Sequence, residues 1–193
     1  HVQFEAFRSD AGEVIKRALD FGVWMINVGT QKNTSQAAVK VAHEYDEGVY
    51  ATVGLHPVHT HASYHDANEL GVTNQGSGFT SREEVFDYEF YKKLAEDKKV
   101  VGIGECGLDY YRLEEDTKNK QAEVFEKQIS LSGEIKKPLM IHCREAFDDL
   151  ISVLKTSKLN EIPGVVHFFS GTTDDARILM DLGFSFSFGG VTT

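Results

Sequence analysis

The sequence has 193 residues, 41% hydrophobic and 26% charged, with a formal net charge of −10. That length is enough for one sizeable core, and no apolar run approaches the roughly 20 residues a membrane span needs. The acidity excludes a broad basic surface for coating nucleic acid, but not a small phosphodiester site in which bound cations supply positive charge locally.

His1 to Glu13 is polar and mixed in charge and does not read as a signal peptide. The spacing of apolar residues predicts a helix over Glu13–Asp20, stopped by Gly22. A strand follows over Val23–Val28. Thr34 or Ser35 is expected to cap a helix running to His43, with Ala37, Ala38, Val41 and Ala42 as its apolar face. Val49–Val53 reads as the next strand and ends in Gly54-Leu55-His56-Pro57. The long polar stretch Val58–Ser81 carries His59, His61 and His65; it reads as a solvated loop or, less simply, a metal-binding one. A helix is predicted over Glu83–Glu96, with Val85, Phe86, Phe90 and Leu94 inward.

The chain then reaches Val100–Tyr111, the stretch on which the reading turns. An apolar run delivers one carboxylate, Glu105, between Gly104 and Gly107, two residues that tolerate unusual backbone shapes and close approaches. Glu105 at this strand end is either a tight-turn acid facing water or a functional group. A helix over Lys118–Glu134 follows, with Ala122, Phe125 and Ile129 on one face. Pro138–Arg144 is a strand carrying His142, and Glu145–Leu154 a helix. Gly164–Gly171 is a strand ending near His167, Thr173–Leu182 a helix, and Phe184–Phe188 an alternating half-buried strand.

Six strands, each but the last followed by a helix, predict an α/β fold with a parallel sheet and right-handed crossovers. In such a sheet the strand C-termini share one face, so Glu105, His142 and His167 are expected to converge there. Carboxylate oxygen and imidazole nitrogen suit Mg, Mn or Zn. Cys106 and Cys143 are too few for a disulfide framework and sit beside these groups, either as small half-buried filler or as thiolate ligands. Unpaired cysteines fit a reducing cytoplasm.

Five motifs in this order resemble the TatD family of metal-dependent deoxyribonucleases, in the amidohydrolase superfamily. They are His1-Val2-Gln3-Phe4-Glu5-Ala6-Phe7, Gly54-Leu55-His56-Pro57, Gly104-Glu105-Cys106-Gly107-Leu108-Asp109-Tyr110, Ile141-His142-Cys143-Arg144-Glu145-Ala146 and His167-Phe168-Phe169-Ser170-Gly171. The resemblance implies a TIM-type (β/α) barrel with a one- or two-metal site at the strand C-termini. It implies metal ligation by His1, Glu105, His142 and His167, with Glu105 bridging two ions. His56 is implied to line the substrate phosphate, with Arg112 and Arg144 as further phosphate contacts. The family pattern also has a histidine before the position of His1, and an Asp in an Asp-Ser/Ala-Pro segment after the last strand. Residues 1–193 are therefore expected to form a single hydrolase domain truncated at both ends, its first and last strands largely missing.

The expected function is metal-assisted hydrolysis of DNA phosphodiesters from short or single-stranded ends, by a cytoplasmic monomer without membrane partners. The alternatives are a related amidohydrolase acting on small esters or amides, and a catalytically incomplete domain that only binds a partner.

Overall fold

A computed structural model describes residues 1–7, 9–61, 64–65, 79–80, 83–111 and 117–190. Its main sheet has six strands, all parallel: β1 (Met25–Val28), β2 (Val49–Val53), β5 (Val100–Asp109), β6 (Leu139–Arg144), β7 (Gly164–His167) and β8 (Ser185–Phe186). A separate antiparallel pair, β3 (Tyr64–His65) and β4 (Phe79–Thr80), lies within the long 58–81 stretch. Helix α1 (Ala11–Asp20) precedes β1, and five helices connect the main strands: α2 (Lys32–His43), α3 (Tyr88–Ala95), α4 (Thr117–Ile135), α5 (Phe147–Thr156) and α6 (Thr173–Asp181).

The main strands lie side by side in the order in which they occur in the chain. A doubly wound sheet reverses direction part-way; an uninterrupted progression is the winding of a barrel. The fold is an incomplete TIM-type barrel. Its core joins the inward residues of the strands, such as Val53, Ile103, Leu108 and Ile141, to the apolar faces of the helices, such as Ala38, Tyr91, Phe125 and Leu150.

Several boundaries differ from the sequence reading, each for a local reason. Strand β1 begins at Met25, because Val23 and Trp24 are exposed beyond the turn that Gly22 closes with φ 73°. Helix α2 starts at Lys32, ahead of the expected caps. Thr34 sits in its first turn and accepts hydrogen bonds from the N–H groups of Thr30 (2.9 Å) and Gln31 (2.8 Å). Helix α3 starts only at Tyr88, capped by Asp87, whose carboxylate accepts the Phe90 N–H. Before it, Glu84 is tied down by the Tyr91 hydroxyl (2.6 Å) and the Lys32 N–H (3.1 Å), which holds this segment outside the helix. Val85 is consequently 76% exposed, and Tyr91, stacked on Phe86, takes the expected core position. Helix α5 begins at Phe147 because Glu145 turns the chain with φ 54°.

The largest departure positions the site. Strand β5 does not stop at Glu105 but runs on to Asp109. It pairs with β2 only as far as Val53↔Ile103, then with β6 through Asp109↔Arg144. The register shifts between Ile103 and Cys106, and the Gly104–Glu105 peptide is cis. Gly104 and Gly107 adopt φ 151° and 135°. A Cβ on either would lie 2.3 Å from the Met140 carbonyl oxygen or 2.0 Å from that of His142. Only glycine lets β6 approach β5 this closely.

Candidate metal centre

Glu105, His142 and His56 come together at the C-terminal ends of β2, β5 and β6. Glu105 is buried, and its Oε1 lies 3.2 Å from His142 Nδ1 and 3.6 Å from His56 Nε2. The two imidazole rings pack with centroids 4.3 Å apart. Among the described residues this is the one group whose potential ligand atoms all lie within 4.8 Å of one another. His1 stands at its edge: Nε2 is 4.0 Å from Glu105 Oε2, Nδ1 is 3.0 Å from the Val28 carbonyl oxygen, and the ring stacks on Phe4.

His167 ends β7 as the register partner of His142, so their side chains rise from neighbouring strands on the same face. Its Nδ1 is 3.1 Å from Ser187 Oγ, and it stands outside the three-residue group. Arg144 closes β6 on the exposed rim, its guanidinium stacked 3.4 Å from the centroid of Tyr111. Such a contact orients the planar cation without removing its donors. Arg112 lies outside the described residues, as do all but two residues of the 62–78 stretch and its central loop. His59 ends a short turn beside His56, with ring centroids 6.2 Å apart, and neither it nor His61 belongs to the converging group.

Asp109, quoted in a motif but given no role from sequence, completes the arrangement. Its Oδ2 lies 2.7 Å from His142 Nε2, so His142 bridges two buried carboxylates. The signal was present in the spacing, since Glu105 and Asp109 are four residues apart on one strand. It becomes readable only once β5 is known to extend past Glu105.

The electrostatics follow from this bridge. Burial acts to lower the His142 pKa, but hydrogen bonds to Asp109 and Glu105 outweigh it and push it up to about 9. Burial acts to raise the pKa of Glu105, yet the hydrogen bonds of His142 and His56 and the charge of His142 hold its carboxyl well below the usual range. Asp109 is likewise held low against its burial, chiefly by His142. His56 moves the other way: burial, then the neighbouring His142 charge, lowers its pKa and keeps its ring neutral. Burial pushes the Cys143 thiol up to about 12 and Cys106 higher still, and neither sulfur belongs to the converging group.

This donor set fits a divalent cation. A carboxylate and imidazoles are the ligands such ions take. Two buried anions here require positive charge between them, which the His142 proton supplies in the metal-free protein. A cation beside Glu105 meets the same requirement and leaves His142 neutral, the state in which imidazole ligates.

Residues 1–193 match the family described as TatD related DNase. The chain belongs to that family. It is 36% identical over 194 residues to an uncharacterized metal-dependent hydrolase, YabD, of Bacillus subtilis, with all of this chain and 68% of that protein covered. It is 34% identical over 181 residues to the 3′-5′ ssDNA/RNA exonuclease TatD of Pantoea ananatis, covering 93% of this chain and 61% of that one. The crystal structure of YJJV, a TatD homolog from Escherichia coli, superimposes with a TM-score of 0.73 at 27% identity, covering 96% of this chain and 64% of that chain. The sequence thus spans about two thirds of the length of these TatD relatives. No described helix is long and apolar enough to cross a membrane.

Proposed function

We propose that residues 1–193 form one metal-dependent hydrolase domain that cleaves nucleic-acid phosphodiesters from single-stranded ends. The convergence of Glu105, His142 and His56 on one point carries this reading. The 3′-5′ direction is taken from the name of the Pantoea relative.

In this reading Glu105 and His142 would hold a divalent ion, His1 would reach the same carboxylate from its other oxygen, and His167 would serve a second ion. Divalent ions bound there lower the pKa of water toward about 7 and offset charge on the phosphate. Glu105 would suit a ligand role shared between ions, because its two oxygens face different partners, Oε1 toward His142 and His56 and Oε2 toward His1. Asp109 holds the far nitrogen of His142, which fixes the ring and raises its basicity.

His56 takes the substrate-facing role. Its Nδ1 accepts the Val58 N–H at 3.3 Å, so in the neutral ring the proton sits on Nε2, the atom facing Glu105. Once Glu105 engages a cation, that N–H is available to a phosphate oxygen. Arg144 on the rim, and Arg112, supply further positive charge to a chain whose overall balance is acidic. The enzyme acts as a cytoplasmic monomer.

The test is cleavage of a 5′-labelled single-stranded oligonucleotide with Mg, Mn or Zn, beside small ester and amide substrates. Stepwise shortening that needs metal and disappears in Glu105→Gln supports the reading. Metal-dependent turnover of the small substrates alone reassigns the substrate class, and unchanged cleavage by Glu105→Gln removes Glu105 from the site.

A further inference from the structure

Two glutamines on α4 make a pattern that nothing in the metal chemistry explains. Gln121 and Gln128 are 1% and 0% exposed. Seven residues apart, they lie on one face of the helix, about 10.5 Å from each other along its axis. Each engages both backbone groups of one residue. Gln128 accepts from the Leu55 N–H at 2.9 Å and donates to the Leu55 carbonyl at 3.0 Å. Gln121 accepts from the Asp109 N–H at 2.8 Å and donates to the Asp109 carbonyl at 2.9 Å.

The location of these pairs matters more than their number. The β2–β5 ladder ends at Val53↔Ile103. Beyond it Gly54 still packs on Gly104, and the Glu105 N–H bonds the Gly29 carbonyl at 2.9 Å, but Leu55 and Asp109 have no β2–β5 ladder partner. A buried edge of that kind must find partners or lose stability. Each primary amide offers one donor and one acceptor, the same pair a neighbouring strand residue would offer. Gln128 therefore serves the residue next to His56, and Gln121 serves the residue that holds His142.

We propose that Gln121 and Gln128 are positioning residues: two amide clamps, fixed to one rigid helix, that set the spacing between His56 on the β2 side and the Asp109–His142 pair on the β5 side. Because both clamps are carried by α4, the helix adds a rigid reference for the distance between the strand ends, beside the direct Gly54–Gly104 and His56–Glu105 contacts. This inference concerns the metal and phosphate chemistry only through the proposed function; the clamps themselves can be tested in metal-free protein.

The experiment compares wild type with Gln121→Met and Gln128→Met, which keep side-chain length, and with Gln121→Glu and Gln128→Glu, which keep an acceptor for the backbone N–H. Leu154→Ala, in the core on α5, is the control for lost stability alone. In metal-free protein, amide exchange at Asp109 and Leu55 is followed together with the NMR contact between the His56 and His142 rings. In cobalt-loaded protein, the cobalt dissociation constant, its visible spectrum and the binding of inorganic phosphate are measured.

The proposal expects Gln121→Met to lose protection at Asp109, alter the cobalt spectrum and weaken cobalt binding roughly 10- to 100-fold. Gln128→Met is expected to lose protection at Leu55 and the ring contact, to keep cobalt affinity within about threefold, and to weaken phosphate binding about tenfold or more. The Glu variants should fall between. If both Met variants merely lose stability as Leu154→Ala does, keeping the ring contact, cobalt spectrum and phosphate affinity of wild type, the clamps are structural only and the proposal is overturned. Should wild type bind no cobalt, the metal reading fails, while the exchange and ring-contact measurements still decide the clamps.

Discussion

Metal binding by this site should be strongly pH-dependent, and His142 sets the size of the effect. In the metal-free protein His142 carries a proton with a pKa of about 9, held by Asp109 and Glu105. A ligating imidazole must give that proton up. At pH 7, two units below the pKa, only about 1% of His142 is neutral, so the observed affinity is about 100-fold below the intrinsic one, or about 2.7 kcal/mol. Each unit of pH toward 9 recovers about a factor of ten, and above 9 the affinity levels off. His56 adds nothing to this dependence, since its lowered pKa leaves it neutral throughout. The assay is calorimetric titration with Mn under anaerobic conditions from pH 7.0 to 8.5, in buffers of different ionisation enthalpy, which also counts the protons released. About one proton per ion at pH 7 is the expected count. An affinity constant over that range with no proton release would refute the reasoning, because the ion would then bind without displacing the proton on His142.

Four further outcomes follow from the same geometry. In the absence of metal the raised pKa of His142 stabilises the fold fully below the unfolded value near 6.5, and that stability is lost as pH rises through about 9; the loss is about 3 kcal/mol and should appear as a falling melting temperature over that window. Wild type at a metal concentration 100 times its Kd should gain about 2.7 kcal/mol of stability, and Glu105→Gln should lose most of this gain in a thermal shift measurement. In the proposed two-ion reading, His167→Ala should lower the stoichiometry from two ions to one in a metal titration while leaving the first affinity nearly unchanged, since His167 stands apart from the converging group. Gly107→Ala should cost more than about 3 kcal/mol by chemical denaturation, because the positive-φ strain of about 1–3 kcal/mol adds to a 2.0 Å approach to the His142 carbonyl.

Strand and helix alternation, and the apolar runs ending near His56, His142 and His167, were enough to place the main elements and the end of the sheet where the site forms. The glycines that bracket Glu105 single it out in the sequence, although their reason is the close approach of β6 and not a turn. What stayed hidden depends on contacts distant in sequence. Asp109 has a role only because β5 continues four residues past Glu105 and meets a histidine 33 positions later. Gln121 and Gln128 lie on the buried face of α4 beside Val124, Phe125 and Ile129, which marks them as unusual, but their partners are set by where the β2–β5 ladder ends. The start of α3 is not legible in the sequence, because the tertiary ties of Glu84 override a helical pattern. Cys106 and Cys143 stand beside Glu105 and His142 in sequence but outside the converging group, because alternate residues of a strand face opposite sides.

The most direct measurement is anomalous scattering from crystals soaked in Mn, which locates the ion without assuming its ligands. The account predicts a peak within bonding distance of a Glu105 oxygen and a His142 nitrogen, with the His142–Asp109 contact retained. A peak bound elsewhere on the acidic surface, with Glu105 and His142 still joined only to each other, would contradict it.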